Sequence, residues 1–334
     1  MLTSFGDLAQ AFQSQRQSAT LKSSAARLTT ELTTGRSQDP ARTLSGDFGP
    51  LAELGRSLSG LEAFRLASAE AARFSGTMQS VVGRLQSLGS DSAPVLLQAG
   101  TSGGTGFVDA AGAVARQSLD AALSALNTRD GGRSVFAGLA SNGPAVVDSQ
   151  TLLATLAPIV AVETTAAGVV QAVETFFDAP VGGFGDLGYL GADDALVPFR
   201  VAPGDAVPLD ITANDPAIRE TLKGLVIGAL LDEGQFAGDP QARAELAHSA
   251  GERLLTADAG LAQVQGRIGT AEARIGAAET RIASEMAGLK LRRGEMVGVD
   301  SYETATALQQ TQAQLEVLFS VTARLSTLKL SDFL

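Results

Sequence analysis

Chemistry in this chain would have to be built from few parts. His248 is the only histidine, so a Ser-His-Asp site or a two-histidine metal site would have to form around it. It lies in "AELAHSAGERLL", a helical pattern in which a single His reads as a surface or helix-packing residue. "GTSGGTGF" is glycine-rich but lacks the following Lys-Ser/Thr of a phosphate-binding loop and follows no convincing strand. "GADDAL" offers adjacent acids, Asp193 and Asp194, yet a carboxylate pair needs a cleft before it can act as acid and base. The chain has no Cys, which excludes disulfides and thiolate metal sites. The expectation is a protein that is not an enzyme and uses no cofactor and no metal.

The elements that would have to position such a site explain the chain better than the site does. Hydrophobic residues make up 45% and aromatics only 5%, with no Trp, so Leu, Val, Ile and Ala must fill the core. A length of 334 residues suggests two or three domains. The net charge of −11 is concentrated: from Ala140 to Ala237 thirteen acids face only Arg200, Arg219 and Lys223. Such a segment repels phosphate backbones, which argues against nucleic-acid binding, and reads as an acidic, solvated surface. No run of about 18 apolar residues exists, so no membrane insertion is expected. The start "MLTSFGDLAQAFQSQRQ" shows no basic region followed by an apolar run, so no cleaved signal is expected either.

Hydrophobic spacing predicts long helices at both ends. Leu261, Val264, Ile268, Ala271, Ile275, Ala278 and Ile282 alternate intervals of 3 and 4, and Met286 and Leu289 continue the stripe after one extra residue. Arg267, Arg274 and Arg281 recur every seven residues, as do Glu272 and Glu279, and fit the flanks of such a seam. Leu308, Thr311, Leu315, Leu318, Thr322 and Leu325 form a second stripe, and apolar residues continue to Phe333 and Leu334. Between the stripes, Gly294 and Gly298 are expected to break the helix, with Asp300 or Ser301 capping the next one. At the front, Phe5, Leu8 and Phe12 open a weakly amphipathic helix that also carries Leu21, Leu28 and Leu32. Gly35 is expected as its C-cap and Asp39-Pro40 as a turn or fresh helix start. A long helix then runs from about Leu51 past Leu88, with its end expected at "GSDSAP", and another covers about Val108 to Asn127. "GRSVFAGLASNGPAVV" predicts a strand, a turn and another strand; "TLLATLAPIVAVETTAAGVVQAVETFFDAP" a helix or two; "PAIRETLKGLVIGALLDEG" a helix with Pro216 in its first turn. The expected fold is mainly α. The N- and C-terminal segments form a long antiparallel bundle and a terminal coiled coil, and an α/β or mostly β tip domain is inserted. The expected division is 1–42 with 295–334, 43–133 with 238–294, and an acidic insertion at 134–237.

Three blocks carry a family resemblance. "LTTELTTGRSQDPARTLSGD" looks like the Leu-Ser-Ser-Gly and Asp-Asp-Pro-Ala elements of the flagellin superfamily. "DSYETATALQQTQAQLEVLFSVTARLSTLKLSDFL" is similar to that family's final helix. "RDGGRSVFAGLASNGPAV" resembles the Gly-Arg-Tyr-X-Phe-X-Gly segment of its hook–filament junction members, the hook-associated protein 3 group. The resemblance covers roughly residues 1 to 140 and 238 to 334. One departure is that two residues separate Gly35-Arg36 from Asp39-Pro40, where the family has several more, so this turn is shortened.

The resemblance implies a structural component of the bacterial flagellum, exported through the type III apparatus without a cleaved signal and helped by an export chaperone. It implies partners: other copies of the chain in a ring or helical layer, hook-associated protein 1, and flagellin. It leaves filament flagellin open as the alternative. It further implies that the terminal segments order on assembly, with Phe5, Leu8 and Phe12 opposite Leu308, Leu315, Leu318, Leu325, Phe333 and Leu334. Burying one Leu stabilises by roughly 1.5–3 kcal/mol, so such a stripe is worth on the order of 10 kcal/mol. Ordering about 30 residues costs about 1–2 kcal/mol each in backbone entropy. One terminal helix cannot meet that cost alone, whereas contacts with several subunits can.

Overall fold

The computed structural model of the chain describes the backbone of residues 5–331 and the side chains of 9 and 12–324. In chain order the elements are α1 (Phe5–Thr34), α2 (Pro40–Thr43), α3 (Gly49–Ser102), α4 (Thr105–Leu126), β1 (Arg129–Asp130) and β2 (Arg133–Ser134). They continue with α5 (Ser149–Val160), α6 (Ala166–Asp178), α7 (Phe184–Leu187), β3 (Phe199–Ala202) and β4 (Asp205–Val207). Three long helices close the chain: α8 (Pro216–Asp232), α9 (Pro240–Val297) and α10 (Ser301–Ser331). The fold is mainly α, as the spacing predicts, with two short antiparallel strand pairs, β1–β2 and β3–β4. The chain divides into two compact units, residues 62–283 and residues 1–61 with 284–334.

The 62–283 unit owns the hydrophobic core. Phe74, Met78, Val82 and Leu85 of α3, Leu119 and Leu126 of α4, and Leu222, Leu225 and Val226 of α8 belong to one buried cluster. Leu261, Val264, Ile268, Ala271, Ile275 and Ala278 of α9 join it, so the 3-4 stripe of this helix is a core stripe. α8 reads "IRETLKGLVIGALL", apolar nearly all round, and its residues from Thr221 to Leu231 are all buried. A helix without a polar face belongs inside. The middle segment read from sequence as an insertion thus contributes its longest helix to the same core as α3, α4 and α9.

Small residues set the helix spacing. A Cβ at Gly228 would lie 2.6 Å from the Ala115 Cβ of α4, and one at Gly100 would lie 2.8 Å from the Ala244 carbonyl of α9. A Cβ at Gly251 would meet the Leu97 side chain at 2.7 Å. With few aromatics available, these close approaches fill the interior.

Two sequence expectations fail. α3 does not stop at "GSDSAP"; Pro94 sits inside it and the helix runs on to Ser102. Ala93, Leu96 and Ala99 are buried beyond the break point, so packing outweighs the lost backbone hydrogen bond. Gly294 lies inside α9 on an exposed stretch, where a lone glycine costs the helix only about 1 kcal/mol, and the helix ends only at Val297. Other signals operate as expected. Gly35 has φ +67° after α1, and the Asp39 carboxylate caps α2 with Pro40 in the first turn. The Asp215 carboxylate accepts from the Ala217 N–H with Pro216 at the start of α8. β1–β2 is shorter than the expected strand–turn–strand, and Val146 instead bridges Tyr189.

The acids of the middle segment do not all face water. Asp178 and Glu220 hold the buried Lys223 ammonium at 2.7 and 2.5 Å, and Glu220 and Glu174 both engage Arg253. The heptad-spaced arginines of α9 reach the same segment: Arg267 pairs with Asp215, and Arg274 pairs with Asp205 at 2.8 Å. Arg281 lies 3.6 Å from Asp205. These cations therefore fasten the β3–β4 hairpin and the start of α8 onto α9.

Candidate assembly interface

None of the three possible chemical sites brings reactive side chains together among the described residues. His248 Nε2 lies 3.2 Å from Glu252 Oε1, one helical turn away on α9, beside the Gly100 crossing. Asp193 accepts from the Asn214 amide at 3.1 Å, while Asp194 offers its backbone carbonyl to Leu139. Gly103 and Gly104 of "GTSGGTGF" make the α3–α4 corner, with Gly103 at φ +64°. Among the described residues no three His, Cys, Asp or Glu side chains converge on a metal position. None of the described helices is long and apolar enough to cross a membrane.

The unit made of residues 1–61 and 284–334 is built differently. α1 packs along α10. Yet the only buried residues described in this unit are Glu31, Leu54, Leu61, Met286 and Thr304. Two of them are polar. Leu308, Thr311, Leu315 and Leu318, the stripe read from the sequence, are half-covered, as are Leu21, Leu28 and Leu32 on α1. Thr322 is exposed.

Apolar side chains also point away from the pair. Phe12 is 64% exposed, Val317 62%, Phe319 50% and Val321 47%. Phe12, Leu21, Val317, Leu318 and Val321 line an open groove of about 1040 Å³, whose polar rim includes Gln13, Arg16, Gln17 and Gln314. On another side Lys22 sits 5.4 Å from the centre of the Phe319 ring, a cation–π contact between α1 and α10. Of the residues expected at the interface, the structure thus brings Phe12 and Leu318 to one groove and leaves Leu308 and Leu315 half-covered on α10. Phe5 and Leu8 belong to α1 and Leu325 to α10 by backbone, with their side chains outside the described set. Phe333 and Leu334 lie outside the described residues. Val317, Phe319 and Val321 are additions that the 3-4 count passes over, because they lie off its stripe.

A clasp joins the loops at the base of this pair. Arg36 and Gly298 form an antiparallel bridge: Ser37 N–H donates to Val297 O at 2.9 Å, and Val299 N–H donates to Gly35 O at 3.2 Å. The buried Glu31 carboxylate accepts from the Gln38 N–H at 2.9 Å. Asp300 caps α10 by accepting from the N–H groups of Tyr302 and Glu303 at 2.8 and 3.1 Å. Gly298 is required by the close approach, because a Cβ there would lie 2.6 Å from Gly294 O. The shortened turn after Gly35-Arg36 is therefore tied to the α9–α10 loop by main-chain bonds.

Comparison with known proteins follows this geometry. Residues 254–334 match the family model of the bacterial flagellin C-terminal helical region. No curated protein matches the chain by sequence. A solved structure of a protein assigned as a flagellar hook-associated protein from Vibrio parahaemolyticus superposes with a TM-score of 0.54 at 13% identity. The superposition covers 74% of this chain and 95% of that one, and at such identity the likeness is one of fold. The sequence match supports the flagellin-superfamily resemblance at the C-terminal region, and the superposition shows a shared fold over most of the chain.

Proposed function

We propose that this chain, whose C-terminal region is of flagellin type, is a structural component of the bacterial flagellum: the hook–filament junction protein. It adapts hook-associated protein 1 on one side to the flagellin filament on the other. It works by geometry and not by catalysis. Copies form a ring or helical layer, and the α1–α10 pairs pack against one another on the axial side. Delivery is by type III export without a cleaved signal, with a chaperone covering the apolar termini until assembly.

One observation carries this reading. α1 and α10 are 30 and 31 residues long, yet each contributes a single described buried side chain, and both are polar: Glu31 and Thr304. Apolar surface kept this open is the mark of an interface. Contacts with several neighbours at once supply the burial that one chain lacks. The flagellin-type match favours filament flagellin as the second reading. Immunogold labelling of intact cells separates the two. A single band above the hook supports the junction protein; gold along the whole filament supports flagellin; gold absent from the flagellum overturns both.

A further inference from the structure

α3 and α4 turn back on one another at the Gly103–Gly104 corner, and between them Ser92 Oγ donates to Ser118 Oγ at 2.9 Å. Helical periodicity decides what their outer face carries. On α3, Arg73, Thr77, Arg84, Asp91 and Val95 fall within about 20° of one line, because seven and eleven residues are close to two and three full turns. On α4, Phe107, Val114 and Ala121 follow one another at the same seven-residue interval. The two lines run side by side. Arg73, Thr77 and Arg84 line one wall of an open recess of about 570 Å³, and Ala121, Ser124 and Thr128 line the other.

This face holds groups that nothing in the chain uses. Phe107 is 65% exposed, Val95 38% and Val114 37%, all towards the corner, while the recess lies at the far end. Of the charged side chains of α4 and of α3 from Arg73 onward, Arg73, Asp109, Arg116 and Asp120 are ion-paired. Arg84 and Asp91 are exposed and make no side-chain hydrogen bond or ion pair. They have opposite sign and stand about 10 Å apart along one line of α3. A knob and a hole at opposite ends of one face, with a cation and an anion between them, are what a self-complementary contact requires.

We infer that this face docks on the same face of a second copy of the chain, with the helices antiparallel and a two-fold axis crossing α3 between Ser87 and Leu88. In that register Arg84 of each copy meets Asp91 of the other. The same arrangement brings the corner of each copy, with Phe107, to the recess end of the other, where Gly76, Thr77, Ala125 and Thr128 are small. The face is about 33 Å long over the 22 residues of α4 and about 20 Å wide for two helices side by side, so two copies cover roughly 1,300 Å² in all, within the range of specific interfaces. Burial of Phe107, Val95 and Val114 supplies the adhesion, and the reciprocal Arg84–Asp91 pairs set the register. A two-fold contact closes on two copies, so it differs from the contacts that extend a ring or layer. It uses a different surface from the α1–α10 groove and does not depend on the assembly role proposed above.

The chain has no Cys, so a single introduced thiol reports the contact. Ser87 is exposed beside the axis, and Ser87→Cys is expected to form a disulfide-linked dimer on mild oxidation at least about tenfold faster than Thr270→Cys, an exposed position on α9. In sedimentation velocity on the full-length chain, Arg84→Glu sets like charges against each other in both pairs and is expected to weaken the dimer at least about tenfold. Arg84→Glu/Asp91→Arg in one chain restores both pairs with their signs exchanged and is expected to recover it. Phe107→Ala is expected to weaken it to a similar degree, with an unchanged urea unfolding curve. A wild-type chain that stays monomeric at high micromolar concentration overturns the inference. So does Ser87→Cys linking no faster than Thr270→Cys, association indifferent to Arg84→Glu or to Phe107→Ala, or Arg84→Glu/Asp91→Arg associating no better than Arg84→Glu.

Discussion

Gly228 and Gly276 should respond oppositely to the same substitution. Both lie inside long helices, α8 and α9, where Ala is intrinsically favoured over Gly by about 1 kcal/mol. Around Gly276 nothing lies within 4 Å of an added Cβ, so Gly276→Ala is expected to gain about 0.5–1 kcal/mol. At Gly228 the added Cβ meets Ala115 Cβ at 2.6 Å and the Leu96 methyls at 3.3 Å. An alanine methyl cannot rotate away, so α8 and α4 must separate by about 1 Å in a close-packed core. Overpacking of this kind costs about 1–3 kcal/mol, against the roughly 1 kcal/mol returned by helix preference. The expected net loss for Gly228→Ala is on the order of 1 kcal/mol. Urea unfolding followed by far-ultraviolet circular dichroism reads both changes as midpoint shifts of the core transition. A Gly228→Ala protein as stable as the wild type would refute the claim that small residues set the helix spacing here.

Further outcomes follow from other contacts. Glu220→Gln weakens the ties to both Lys223 and Arg253 and leaves the buried ammonium under-compensated, so a loss of about 2–4 kcal/mol is expected. Glu62→Gln, at the exposed pair with Arg65, should change the urea midpoint negligibly. Burial pushes the Tyr189 phenol up to about 12, so the folded chain keeps it neutral while the unfolded chain ionises near pH 10. Its contribution is present below pH 10 and lost as pH rises towards 12; Tyr189→Phe should flatten the stability profile in that window. The Thr151 N–H holds the Asp148 carboxyl below its usual range, so that cap stabilises above about pH 4 and is lost on further acidification. Asp148→Asn should remove this acid limb from a thermal-melt series. Gly298→Ala forces a Cβ against Gly294 O, and amide exchange at Ser37 and Val299 should quicken as the clasp loosens.

What could be read in the sequence was whatever depends on neighbours along the chain. The 3-4 spacing of Leu261 to Ala278 marks a buried stripe because a helix turns the same face inward at those intervals. Gly35, Asp39 and Asp300 mark helix ends because a left-handed residue or a short acid satisfies the terminal groups locally, and Pro216 marks the first turn of α8. The break at Pro94 was misread because its cost is offset by burial of Ala93, Leu96 and Ala99, and the one at Gly294 because a lone exposed glycine costs a helix only about 1 kcal/mol. The partners of Arg267 and Arg274 were not legible, since Asp215 and Asp205 lie 52 and 69 residues away and only the fold brings them together. At the candidate interface, the stripe through Leu308, Leu315 and Leu318 was visible as a period. The exposure of Val317, Phe319 and Val321 was not, because it depends on how little of α10 the single partner helix α1 covers.

The account turns on α10 being needed between molecules while the core stands without it. Cells producing the chain without residues 308–334 test this directly. The account predicts that no filaments form, while the purified truncated chain keeps the cooperative unfolding of its 62–283 core. Filaments of normal number and length on those cells would contradict it.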